Sequence, residues 1–257
     1  MTSAFVLFAV SACAGALGSM VGLGGGFILV PVLRLAFGFA PAEAAGTSLL
    51  LIVASSASST VTYFLQRRVH VRIGVLIAIG GLPGSILGGF ASQHISAPVF
   101  DIVLAVMLIA VAGDMAWNAG KRMRGRPEHD HVRALKGMSY RAALLIGVVV
   151  GVFSSLFGVG GGVVMVPAML YFSELPIHAI SATSQFGILL TSPVGLAFHA
   201  VARDIDVHDV VPLFAGGLIG GPIGARLSLK LKSPQLVFAV ACALLIVAVS
   251  LIWRHLR

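Results

Sequence analysis

Two hydroxyl pairs, Thr47-Ser48 and Thr183-Ser184, stand 136 positions apart, each 21 positions after a run of three glycines, Gly24–Gly26 and Gly160–Gly162. A helix that breaks at glycine and restarts presents free backbone N–H groups and the positive end of its dipole. Together with uncharged hydroxyl donors, that suits a small oxyanion that must be held and then released. Gln185 follows the second pair and adds amide donors, whereas its counterpart is Leu49, so such a site is expected to be asymmetric. Serine and threonine in apolar helices often only bond back to the preceding turn. That accounts for the scattered Ser55, Ser56, Ser58 and Ser59, but not for one Thr-Ser pair kept in both places.

The glycine runs are not phosphate loops, because those need Lys and Ser/Thr after the glycines and here Phe27 and Val163 follow. Close helix packing is the plainer role for Gly80, Gly84 and Gly88 and for Gly216, Gly220 and Gly224, which recur every four residues. Ionisable groups within apolar spans are costly and deserve attention one by one: Arg34, Glu43, Asp101, His199 and Arg226. Snorkelling to an interface would satisfy Arg34 and Arg226. Asp101 follows Pro98 closely and fits a helix start, and His199, near a span end beside Arg203 and Asp204, reads as a polar interfacial histidine, the commoner outcome, ahead of a proton sensor. His129-Asp130-His131 lacks the spacing and supporting shell of a zinc site. No HExxH, GxSxG or cysteine–histidine set is present, so neither an enzyme nor a metal or organic cofactor is expected.

The elements that must position these residues are membrane helices. The 257 residues are 58% hydrophobic and 10% charged, with mean hydropathy +1.03, against roughly a quarter charged in soluble domains. The net charge of +8 does not indicate nucleic acid, since most basic residues flank apolar spans as the positive-inside bias requires. Cys13 and Cys242 lie in apolar spans and read as small core residues. The start Met1-Thr2-Ser3 has no basic residue, so the N-terminus is expected to be a retained helix and not a signal peptide.

Apolar segments run over 4–38, 42–66, 73–95 and 98–118, then, after a basic linker at 119–139, over 140–173, 178–201, 208–230 and 234–254. The first would make a helix of about 50 Å, well beyond a hydrocarbon core of about 30 Å, and must break at its glycines. Pro31 and Pro167, identically placed, are expected to reinforce each break. At the offset of 136, Gly22, Gly24–Gly26, Val30, Pro31, Thr47-Ser48, Arg67, Gly80-Gly81-Leu82, Gly84, Gly88 and Pro98 all recur identically. The chain is a duplicated four-segment unit, with repeats at 1–118 and 140–257. It has about eight main transmembrane segments, or ten if each broken segment is a pair; the basic residues fit parallel and inverted repeats about equally, and the excess length of the broken segments tilts towards inverted.

The doubled GxGGG run with its spaced proline and following Thr-Ser pair resembles the sulfite exporter TauE/SafE family, over almost the whole chain. The resemblance implies an all-α integral membrane permease of the bacterial cytoplasmic membrane, linked to sulfite, sulfoacetate and related sulfur-containing or organic anions. It places the family motif on Gly24, Gly25, Gly26, Pro31, Thr47 and Ser48 and on Gly160, Gly161, Gly162, Pro167, Thr183 and Ser184, with Gln185 a departure. The expectation is a secondary transporter of a small anion, moving by one half rocking or sliding against the other, in a lipid bilayer and with room for a homo-oligomer. The rival readings are a membrane assembly or accessory protein whose glycines only pack, and a permease for another small ion.

Overall fold

A computed structural model describes residues 2–122, 140–173, 175–202, 204, 205, 207–230 and, apart from 243 and 247, 241–251. The described residues form nine labelled helices: α1 (Thr2–Val21), α2 (Gly26–Ala36), α3 (Pro41–Leu65), α4 (Val71–Ser92), α5 (Ala97–Arg122), α6 (Tyr140–Phe157), α7 (Gly162–Phe172), α8 (Ile177–Val201) and α9 (Val207–Leu227). The backbone is helical again within 241–251. Six helices, α1, α3, α4, α6, α8 and α9, are long and apolar enough to cross a membrane, while α2 and α7 are short apolar helices of 11 residues. The linker from 123 to 139, with His129-Asp130-His131, lies outside the described residues.

Glycine contacts set the directions of these helices. On α4, a Cβ at Gly80, Gly84 or Gly88 would overlap the carbonyl of Leu144, Val148 or Val152 of α6, in that order. The equivalent Gly216, Gly220 and Gly224 of α9 lie over the carbonyls of Phe8, Ala12 and Ala16 of α1. Both registers ascend together, so α4 runs beside α6 in one direction and α9 beside α1 in one direction. Small residues let the backbones come this close without a side chain between them.

The same logic orients the centre. Gly46 meets His199, Leu49 meets Gly195 and Ile52 approaches Gly24 beside Ile188, so α3 and α8 are antiparallel. Gly217 lies on Leu51 and Gly221 on Ser55, placing α9 parallel to α3, and Gly74, Gly81 and Gly89 follow Phe186, Thr191 and Phe198, placing α4 parallel to α8. Thus α1, α3 and α9 form one parallel bundle and α4, α6 and α8 another, and equivalent helices of the two halves point opposite ways. Because α1 and α3 run the same way, the chain must double back between them. It does so through α2, about 16 Å long, after a break that returns Gly25 to the level of Ala14; α7 does the same in the second half.

Each bundle takes helices from both halves of the sequence. The fourth helix of each half packs most extensively on the first helix of the other. The two sequence halves are therefore interlocked, which is at odds with the expected rocking or sliding of one half against the other.

Pro31 and Pro167 do not end helices; they lie inside α2 and α7. Each is the middle residue of its helix, which continues past it at the loss of one ladder bond, the one that would reach the carbonyl four residues back. Cys13 faces outward instead of into the core. Pro41 opens α3 with its fixed φ, and Glu43 accepts the Ala40 N–H at 3.1 Å, the side-chain half of a capping box.

Candidate functional site

The two helix breaks meet at the centre of the molecule. Gly22, Gly24 and Gly25 have φ of 89°, 90° and 86°, and Gly158 and Gly160 have φ of 63° and 75°, all left-handed backbone that only glycine adopts at little cost. A methyl on Gly24 would lie 3.5 Å from Ile188 and Ile52 and 3.6 Å from Gly160. Ile52 and Ile188 are equivalent positions in the two halves. A Cβ on Gly26 would overlap the Gly158 carbonyl, and one on Gly162 would overlap that of Gly22. The breaks are thus packed backbone against backbone, with Gly25 and Gly161 as the N-caps of α2 and α7.

The hydroxyl pairs reach across the halves to hold these breaks. Ser48 Oγ donates to the Gly158 carbonyl at 2.5 Å, and its counterpart Ser184 Oγ donates to the Gly22 carbonyl at 2.7 Å. Gln185 Nε2 donates to the Gly18 carbonyl at 3.1 Å, and Ser55 Oγ approaches the Gly24 carbonyl at 3.3 Å. Tyr63 Oη donates to the Ser19 carbonyl at 2.6 Å, and His199 Nε2 lies 3.0 Å from the Ser155 carbonyl. The Gly18 carbonyl also takes the N–H groups of Gly22 and Leu23 at 2.9 and 2.8 Å. Carbonyls around the ends of α1 and α6 are therefore capped by donors. The first N–H groups of α2 and α7, like those of any helix, have no partner inside it.

Several buried polar atoms lack a hydrogen-bond partner among the described residues: Thr47 Oγ1, Ser19 Oγ, Ser154 Oγ, Ser155 Oγ, Thr60 Oγ1, Ser192 Oγ and Gln185 Oε1. Ser19 and Ser154–Ser155 come just before the breaks, and Thr47 is wholly buried beside Ser48. Buried unpaired hydroxyls are costly enough to need an explanation such as a ligand or water. Thr183 differs from Thr47, since its Oγ1 accepts the His70 N–H at 2.9 Å.

All eleven residues singled out from the sequence are buried at the breaks or on the α3 and α8 turns facing them. For Ser19, Ser154 and Ser155 the readable signal in the sequence is the offset of 136 that relates Ser19 to Ser155.

Charged residues lie away from the breaks. Arg34 on α2 is not snorkelled; it is 5% exposed and grips Asp101 of α5 through Nε at 3.0 Å and Nη2 at 2.7 Å. Its Nη1 donates to the Phe39 carbonyl at 2.6 Å. Asp101 is thus a partner in a forked ion pair as well as lying near a helix start. Arg226 is exposed at the end of α9. Among the described residues, no group of three or more metal-ligating side chains comes together.

The model of the sulfite exporter TauE/SafE family matches residues 7–251. The chain is 30% identical to the probable membrane transporter protein YunE of Bacillus subtilis, over 97% of both chains. It is also 30% identical to the probable membrane transporter protein YfcA of Escherichia coli K12, over 92% of this chain and 86% of that one. An archaeal relative, the probable membrane transporter protein MJ0441 of Methanocaldococcus jannaschii, is 29% identical over 77% of this chain and 73% of its own.

Proposed function

Because the chain belongs to the sulfite exporter TauE/SafE family of membrane transporters, we propose that it is a secondary transporter of a small sulfur-containing or organic anion, sulfite or a sulfonate such as sulfoacetate. The observation that carries this reading is the polarity of the breaks. Side-chain donors occupy the carbonyls there, from Ser48, Ser184, Gln185, Tyr63 and His199. Apart from the Gln185 Oε1 acceptor, the unpaired side-chain atoms there are hydroxyls, and the positive dipole ends of two short helices lie beside them, an arrangement that favours negative charge. A cation would find capped oxygens and, among the described residues, a buried carboxylate at Asp101 already held by Arg34.

The backbone of Gly24, Gly25 and Gly26 and of Gly160, Gly161 and Gly162 holds the anion, with Thr47, Thr183 and Gln185 supplying polar side chains. Ser48 and Ser184 hold the breaks in shape and are released to the anion only if the breaks move. The repeat is an inverted one, and the moving bodies are the two mixed bundles, sliding along the α3–α8 contact with the breaks between them.

Counterflow of radiolabelled sulfite in proteoliposomes tests this, with sulfoacetate, phosphate and chloride as competitors. Saturable exchange, competed by sulfonate and weakened in Thr47→Val, is the expected result. Flux of a metal cation with none of any anion would overturn it in favour of a cation permease. No flux of any ion would favour an accessory protein.

A further inference from the structure

The offset that relates the halves also relates their ends. Tyr63 corresponds to His199, Arg68 to Asp204, and Ser19 to Ser155. At one end Tyr63 donates to the Ser19 carbonyl at 2.6 Å, and the Arg68 guanidinium lies 5.2 Å from the Tyr63 ring centroid. At the other end His199 Nε2 lies 3.0 Å from the Ser155 carbonyl, and His199 Nδ1 lies 2.9 Å from Asp204 Oδ2. Even the backbone repeats: Arg68 N–H bonds the Tyr63 carbonyl at 3.2 Å, and Asp204 N–H the His199 carbonyl at 3.0 Å. One frame has been given different chemistry at its two ends.

Counting protons separates them. A carbonyl only accepts, so His199 Nε2 must carry a proton to bond Ser155. An ionised carboxylate also only accepts, so the contact at Nδ1 needs a second proton, on the ring or on Asp204. The geometry therefore holds one proton more than a neutral imidazole beside a carboxylate. Without it, lone pairs on Nδ1 and Oδ2 face each other and the contact opens. Arginine keeps its charge under all ordinary conditions, and the Arg68 end has no such dependence.

We propose that His199 and Asp204 form the protein's proton-binding site, and that a proton taken up there travels with the anion; the coupling rests on the transporter reading above. Asp204, with its side chain 18% exposed, is the entry point, and His199 at 0% is the buried acceptor. The pair is seated among α3, α4 and α6: Gly46 lies against the His199 ring, Gln93 Nε2 is 3.4 Å from Asp204 Oδ2, and Ser155 is five residues before Gly160. The other titratable groups at the ends of those helices are engaged locally, Glu43 by the Ala40 N–H and His94 by the Phe90 carbonyl. Arg203 and Asp206 lie outside the described residues.

The opposite end bears Arg67, Arg68, Arg72, Arg141, Arg226 and Lys230, so the positive-inside bias puts it in the cytoplasm and puts Asp204 on the outer face. Protons enter where a respiring bacterial membrane is more acidic. Loss of the proton loosens the outer end and leaves the inner one tied.

Two measurements decide the matter. The first is the protonation of the pair in nanodiscs, from nitrogen NMR of the His199 ring and the infrared band of a protonated Asp204 carboxyl. The extra proton is expected on one of the two groups and is expected to be released in a single titration that Asp204→Asn alters. A single neutral tautomer beside an ionised Asp204 at every pH would overturn the site, whether or not the protein moves sulfite. The second compares sulfite accumulation under a pH gradient with counterflow in the same vesicles, for wild type and His199→Gln, which keeps a donor for the Ser155 carbonyl. One proton per singly charged anion supports about tenfold accumulation per pH unit. Wild type should approach that value and His199→Gln should fall to no accumulation, whereas undiminished accumulation in His199→Gln would overturn the coupling. Absent counterflow in the wild type would instead count against the transporter reading, with the first measurement still deciding the proton site.

Discussion

The two members of each Thr-Ser pair do different work. Ser48 and Ser184 each satisfy a backbone carbonyl in the other half, and removing such a donor strands a buried acceptor at a cost of about 1–3 kcal/mol. Ser48→Ala and Ser184→Ala should each lower thermal stability in detergent. Thr47 Oγ1 has no partner to lose, so Thr47→Val should leave the melting temperature unchanged. Its effect should fall on the anion, raising the KM for sulfite about tenfold, in keeping with a lost bond to a charged group. A melting temperature that falls as far in Thr47→Val as in Ser48→Ala would remove Thr47 from the site and make it a packing residue. The sequence exposed these pairs because duplication wrote them twice. Nothing in residue type tells which hydroxyl of a pair is spent on backbone, and that depends on contacts 110 and 162 positions apart. The His199–Asp204 contact carried a readable signal in its match with Tyr63 and Arg68, but the match is of position and not of residue type.

At the scale of helices, the glycine ladders were legible as spacing and became informative only once their partners were known. Gly84 sits over the Val148 carbonyl and Gly220 over that of Ala12. A leucine at either place must push two backbones apart, and overpacking of this kind costs about 1–3 kcal/mol or more. Gly84→Leu and Gly220→Leu should each reduce the yield of folded protein, read by size-exclusion chromatography, and alanine should be milder. The charges told less. The Arg34–Asp101 pair spans 67 positions and has no copy, since Leu170 stands where the second half would need its arginine. Breaking a buried ion pair costs about 3–5 kcal/mol, because one charge is left uncompensated, while replacing both members is often neutral. Arg34→Leu should therefore be far less stable than Arg34→Leu/Asp101→Leu in a thermal melt. Equal loss in both would mean that the pair itself stabilises the fold.

Over the whole molecule, basic residues alone could not choose between parallel and inverted repeats, because both schemes collect them on one side. Packing registers choose, since Gly80, Gly84 and Gly88 ascend with α6 and Gly216, Gly220 and Gly224 ascend with α1. Single cysteines at the equivalent positions Gln66 and Ala202, the C-caps of α3 and α8, in a background lacking Cys13 and Cys242, should therefore be labelled by impermeant maleimide from opposite faces of the membrane. Labelling from the same face would break the arrangement described here. The interlock also sets an order of events during synthesis. The ridge that seats on α1 belongs to α9, about two hundred residues later in the chain, about 10 to 40 seconds at ordinary translation rates. For all of that time the carbonyl face of α1 lacks the helix that covers it in the folded protein. The earliest helix made thus meets α2 and α3 early but its most extensive neighbour last, and a chain cut short before α9 leaves that face of α1 open to whatever quality-control protease patrols the bilayer.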